Sequence, residues 1–224
     1  MTRFAIALLL IFLTTPAHSQ SVGDIVKPAH NLPVPSAVRD HLSQIADVEA
    51  FAPLSNHDAV VVYDTVRDSP GTTNFMDNRP KVAILRDGSV KLNLDVLSLA
   101  QGGPAFFNGM ALLRGDERNA VAVFAFRLAA DGSGTFFVFV GRGPSGYGVT
   151  ATLQGLQAQL RFESNDQLEL WSANGQAPCV WCPKPYRVTK LGWSDGKLRD
   201  LSPATDEGEY RPEQFVGEPF VAKK

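Results

Sequence analysis

The sequence predicts a mainly β protein, an antiparallel β-sandwich or barrel-like domain of about eight to ten strands with one short N-terminal amphipathic helix packed on it. Three observations carry this. From position 58 onward, apolar residues either alternate with polar ones or form unbroken runs of strand length, as in Val60-Val61-Val62-Tyr63 and Val82-Ala83-Ile84-Leu85. Turn-forming residues stand between these runs at Asp87-Gly88, Asp131-Gly132, Asn165-Asp166 and Asp195-Gly196. The segment after Ser36, in contrast, carries a helical period. The turn signals are unevenly spaced and their flanks do not repeat, which excludes a propeller or solenoid.

Residues 1–19 read as a secretory signal peptide. One positive charge at Arg3 precedes an apolar run over residues 4–13, and Ala17-His18-Ser19 supplies a small-x-small cleavage pattern. Cleavage there starts the mature chain at Gln20. The run is too short to span a bilayer core of roughly 30 Å, so stable membrane insertion is not expected. Residues 20–57 form an extended lead-in and docking helix. Pro28, Pro33 and Pro35 keep the first part extended, and Ser36 offers an N-cap. Val38, Leu42, Ile45 and Val48 then recur at i, i+4, i+7 and i+10, one apolar stripe of about three turns.

Residues 58–202 form the β domain. Asp87-Gly88 joins two alternating segments, because both turn residues tolerate positive φ. The runs 120–126 and 136–140 are almost wholly apolar, as expected of strands buried on both faces, and they form the folding core. Residues 156–163 alternate without a fault, with Leu156, Ala158, Leu160 and Phe162 facing in. After a turn at 164–166, Leu168 and Leu170 face in while Glu169 and Trp171 face out. A three-residue turn sets Arg161 opposite Glu169 and Gln159 opposite Trp171, and a one-residue slip would put charges in the core. The last hairpin turns at Asp195-Gly196. Residues 203–224 are an acidic tail that either docks through Phe215, Val216, Phe220 and Val221 or stays mobile.

Composition narrows the function. The formal net charge is −2, from 21 Lys and Arg against 23 Asp and Glu. Such a chain lacks the cationic surface that nucleic-acid binding needs, so no nucleic-acid partner is expected. Cys179 and Cys182, the only two cysteines, lie in Cys-Val-Trp-Cys-Pro. In an oxidising compartment they read as one small disulfide ring, contributing roughly 2 kcal/mol through loop closure. A redox-active pair needs a thiol at a helix N-terminus, and Pro183-Lys184-Pro185 forbids an ordinary helix there. No metal is expected, since only His30, His41 and His57 join the cysteines in the mature chain and none is near them.

Gly141-Arg142-Gly143-Pro144-Ser145-Gly146 matches G-x-G-x-x-G, but the strand alternation beyond it excludes the helix that a dinucleotide fold requires. It reads as a hairpin loop, and no cofactor is expected. Ser145 fails the nucleophile-elbow pattern at its last position. His57, in Ser55-Asn56-His57-Asp58, is the one candidate base.

The aromatic residues point to binding. Trp171, Trp181 and Trp193 bracket the cysteines. Trp171 is expected on the polar face of its strand, with Gln157, Gln159, Arg161, Glu169 and Tyr147 as the rest of a contact surface. An amphipathic ring among amides and charges suits a protein or sugar partner. The expected function is therefore an exported, periplasmic or secreted, non-catalytic binding protein whose partner is a protein or a cell-envelope glycan. The alternatives are an envelope hydrolase using His57 and, behind it, a thiol–disulfide oxidoreductase.

Overall fold

A computed structural model describes residues 21–29, 32–34, 36–42, 45–65, 79–100, 105–114, 120–128, 134–164, 167–174, 184–194, 196–210 and 218–222. Among the described residues the fold is mostly antiparallel β in three sheets with almost no helix, and no sheet closes into a barrel. The first sheet holds β2 (Ile45–Pro53), β3 (Asp58–Thr65), β4 (Pro80–Arg86) and β5 (Ser89–Asp95) in that order. The second runs β1 (Ser21–Val26), β6 (Ala105–Arg114), β7 (Ala122–Leu128), β8 (Gly134–Gly143) and β9 (Gly146–Leu156). The third is ordered β13 (Lys197–Asp200), β12 (Lys184–Ser194), β11 (Gln167–Ala173), β10 (Gln159–Ser164) and β15 (Phe220–Ala222). β14 (Thr205–Tyr210) pairs with β12 beyond the stretch that β13 covers. These described strands outnumber the eight to ten expected, and residues read as lead-in, helix and tail supply four of them, β1, β2, β14 and β15.

The second sheet lies between the other two, and its composition explains why. Ala122, Phe124, Phe126, Phe136, Val138 and Val140 share one apolar cluster with Val60, Val62, Val82 and Ile84 of the first sheet. The alternate residues Val123, Ala125, Phe137 and Phe139 share a second cluster with Leu160, Leu168, Leu170, Leu191 and Phe220 of the third. Successive side chains on a strand point to opposite faces, so a sheet buried on both sides must be apolar at nearly every position. The runs at 120–126 and 136–140 meet that demand.

The N-terminal helix does not form at the expected length. α1 is one turn, Ser36–Arg39, closed by Val38 and Arg39 carbonyls accepting from His41 and Leu42 N–H at 3.2 Å each. Ile45 and Val48 belong to β2 instead. The stripe is nevertheless real. Val38, Leu42 and Val48, with partly buried Ile45, all enter the cluster that covers the outer face of the first sheet around Val61, Tyr63, Ala83 and Leu85. The period recorded a shared destination, which a turn followed by a strand reaches as well as a helix does. Pairing with β3 gives β2 a ladder of backbone hydrogen bonds, whereas a three-turn helix on its own is only marginally stable. The other helix, α2 (Val96–Leu99), is also a single turn, capped by the Asp95 carboxylate accepting from Leu97 N–H at 3.0 Å.

Several turns form as the sequence indicated. Asp87 and Gly88 both take positive φ, 49° and 77°, between β4 and β5. The glycine-rich hexapeptide turns the β8–β9 hairpin, with Gly143 paired to Gly146. The alternating stretch 156–163 is interrupted, however. Leu156 ends β9, paired with Gly134, and Gln157 turns at φ 46° before β10 starts at Gln159. The chain thus changes sheets inside a pattern that reads as one strand.

Candidate functional site

β10, β11 and β12 position the predicted contact face. The register pairs Gln159 with Trp171 and Arg161 with Glu169, as the alternation required, and adds Lys190 opposite Glu169. Leu168 and Leu170 turn into the core, so Glu169 and Trp171 lie on the opposite face. There Arg161 crosses diagonally, with its Cζ 3.8 Å from the Trp171 ring centroid. Trp171 Nε1 donates to Glu169 Oε2 at 2.8 Å, and Lys190 Nζ lies 3.9 Å from Glu169 Oε1. From the other side, Arg161 Nε donates to Gln159 Oε1 at 3.2 Å, and Gln159 Nε2 donates to the Glu218 carbonyl at 2.8 Å. One chain of contacts therefore runs from the strand-15 approach at Glu218 to Lys190, with the indole at its centre.

These contacts sort the predicted residues. Trp171, Arg161 and Glu169 come together as a stacked unit. Trp171 is half-buried, because it packs beside Ala173, Tyr186 and Leu156. Tyr186 is deeply buried, and that burial pushes its phenol up to about 12. Gln159 is only 2% exposed, so it supports the face from beneath and is not part of its surface. Gln157 stands at the turn that leads into β10. Tyr147 is elsewhere: it packs on the cluster between the first and second sheets, with the central sheet separating it from the third. Lys190 was missed because its place depends on the β11–β12 register, and the intervening residues carry no periodic signal. Cys179 and Cys182 lie outside the described residues, as do the signal segment and Trp181.

Tyr147 belongs to a second polar cluster, built on Asp58. Residues 58 and 86 face each other where β3 and β4 pair. The Asp58 carboxylate, 4% exposed, accepts from Arg86 Nε and Nη2 at 2.7 and 2.8 Å, from Tyr147 OH at 2.9 Å and from Ser55 Oγ at 3.1 Å. The Arg86 bonds foremost, then those from Tyr147 and Ser55, hold its pKa down at about 2. Tyr147 is in turn pushed up to about 12 by burial and by the Asp58 charge. Ser55 Oγ also accepts from the N–H groups of His57 and Asp58.

His57 Nδ1 lies 3.0 Å from Asp87 Oδ1, but the two side chains are 72% and 69% exposed. Asp58 thus receives four donors, Arg86 Nε on Oδ1 and the other three on Oδ2, whereas the His57–Asp87 pair stands open to solvent.

A third polar feature is the buried Glu49, 6% exposed, at a bulge of β2 between Val48 and Ala50. Its Oε2 has no hydrogen-bond partner among the described residues. Burial foremost, then the Asp64 and Asp47 charges, push its carboxyl up to about 8. Among the described residues no group of three or more His, Cys, Asp and Glu side chains is arranged to hold a metal ion. No protein-family model matches the chain, and no curated protein or solved structure matches it.

Proposed function

We propose that the chain is an exported binding protein without catalytic machinery, periplasmic or secreted, which contacts a protein or a cell-envelope glycan through the outward face of β10, β11 and β12. The observation that supports this is the stack of Arg161 on Trp171, with the indole N–H held by Glu169. Tryptophan and arginine are enriched among the few residues that dominate binding energies, and side chains fixed beforehand lose little entropy on contact. The guanidinium already occupies one face of the indole. A sugar ring would have to displace it, so a protein partner offering acidic groups to Arg161 fits this face better than a glycan.

The hydrolase alternative has the His57–Asp87 contact in its favour, but Ser55 Oγ beside it is committed to Asp58. The thiol–disulfide alternative rests wholly on Cys179 and Cys182.

Two measurements test the proposal. N-terminal sequencing of the exported protein is expected to begin at Gln20. Trp171→Ala and Arg161→Ala are each expected to weaken binding about ten-fold or more, equivalent to about 1.4 kcal/mol. The readouts are crosslinking from a photoreactive residue at position 190 in the exporting host and co-sedimentation with isolated wall glycan. Full binding by both variants, at unchanged melting temperature, overturns the assignment of this face.

A further inference from the structure

We propose that β9 is the seam of a two-fold dimer, in which a second copy of this chain lays its own β9 antiparallel along the first and joins two five-stranded central sheets into one. This stands apart from the Trp171 face and does not depend on it. Among the described strands, β9 is the edge of the central sheet and pairs with β8 alone. It is eleven residues long, Gly146-Tyr-Gly-Val-Thr-Ala-Thr-Leu-Gln-Gly-Leu156, with no charge and no proline. None of its residues is buried, and Val149 is 36% exposed. A Cβ placed on Gly148 would meet nothing within 4 Å, so that position opens onto free space.

The other edges among the described strands are guarded. β1 carries Asp24; β2 carries Asp47, Glu49 and Pro53; β5 carries Lys91 and Asp95. β13 carries Lys197, Arg199 and Asp200; β14 carries Asp206, Glu207 and Glu209; β15 has only three residues. Charges, prolines and short length are how proteins keep edge strands from pairing with other chains. β9 has none of these devices, though it is the longest edge of the three sheets.

The absence of charge also identifies the occupant. A two-fold axis sets a strand against itself, so any charged residue near the axis would face its like. β9 places none there in any register. Centred on Thr152, the pairing puts Thr152 against the partner's Thr152, a favourable cross-strand pair, and the apolar Ala151 against the partner's Leu153. The net charge of −2 adds little repulsion between copies. Size agrees too. β5 and β13 lie against β9 from the two outer layers. An eleven-residue seam is about 37 Å long, and three layers at ~10 Å spacing make it about 20 Å deep. That gives roughly 750 Å² per copy, close to the ~800 Å² of a stable interface, with the uncharged β9 at its centre and flanks of both signs, Lys91 and Asp95 on β5 and Lys197, Arg199 and Asp200 on β13.

Sedimentation equilibrium of the mature protein across 1–200 µM (roughly the span of a μM Kd) is expected to show a dimer. Thr152→Lys and Gln154→Lys, both at exposed positions, place like charges across the axis and are expected to yield folded monomers whose melting temperature no longer depends on protein concentration. A spin label at position 152 is expected to report one short distance in the native background and none in a Gln154→Lys background. A native protein that stays monomeric throughout overturns the proposal, and so does a dimer that both lysine variants leave intact. Binding of an extended peptide by a protein that does not self-associate assigns the edge to a foreign strand and overturns it equally.

Discussion

Glu49 and Asp58 are two buried carboxyl groups on neighbouring strands whose surroundings push them in opposite directions, so their pH signatures have opposite signs. Glu49 rises from an ordinary 4.5 to about 8. Between those values the folded chain holds a proton that the unfolded chain has lost, so stability falls as pH rises through that window. Glu49→Gln keeps the neutral shape and is expected to abolish this decline. In urea titrations the variant should match the native protein at pH 4.5 and exceed it by a few kcal/mol at pH 9. Equal stability at both pH values would show that the carboxyl is ionised and paired. Asp58 falls from an ordinary 3.8 to about 2. Its contribution is present above pH 3.8 and lost as pH drops toward 2. Asp58→Asn is expected to cost about 2 kcal/mol at pH 7 and almost nothing at pH 2. Neither group was legible as a site in the sequence. Ser55-Asn-His-Asp58 drew attention to His57, but Arg86 and Tyr147 reach Asp58 only through a strand register and a contact between layers. Glu49 follows the last residue of the Val38–Val48 stripe and gave no signal of its own.

At the level of elements, the β10–β11 hairpin was legible where the stripe from Val38 to Val48 was not, and the difference is physical. A period of two fixes both the strand and its partner, because a slip would invert the faces, so the pairs Arg161–Glu169 and Gln159–Trp171 followed directly. A period of 3.6 fixes only which residues share a face. Val38, Leu42 and Val48 do share one, by another backbone path. The same limit hid the break at Gln157, where alternation runs on while the chain passes from the central sheet to the third. Gly155 marks that crossing. A Cβ on it would stand 2.8 Å from Ala158 Cβ and 2.9 Å from Ser172 Cβ, both too close to the backbone to move aside. Gly155→Ala is therefore expected to destabilise the protein by about 1–3 kcal/mol, the range for overpacking. Gly148→Ala, with open space around it, is expected to fall within about 0.5 kcal/mol of native on the same denaturation curve. Equal losses at the two positions would mean that the sheets do not approach each other there.

Across the whole molecule, the chain lays down its layers largely in sequence order, with the first sheet from 45–95, the central one from 105–156 and the third from 159 onward. Only β1 breaks that order, though both end strands pair far from their neighbours in sequence. β1 returns to edge the central sheet beside β6, and β15 inserts parallel to β10 at the edge of the third. The core layer could be read from its doubly apolar strands, but these end strands could not, since short segments of ordinary composition reveal no partner. β15 seals the interlayer space with Phe220, which is 2% exposed and sets its ring 5.9 Å from Phe137 and 6.3 Å from Phe162. Its approach also anchors the Trp171 face, since the Glu218 carbonyl receives Gln159. Phe220→Ala is expected to cost about 3–5 kcal/mol, as for other buried aromatic residues. Deleting residues 218–224 removes the ring and the carbonyl together. It is expected to lower the melting temperature further and to leave Gln159 without its acceptor, loosening Arg161 from the indole. Tryptophan fluorescence separates the two effects. Phe220→Ala should preserve the Trp171 emission below its melting point, whereas the truncation should shift it to the red. If the truncated protein keeps both native emission and native stability, the C-terminal strand is an ornament of the third sheet and not its seal.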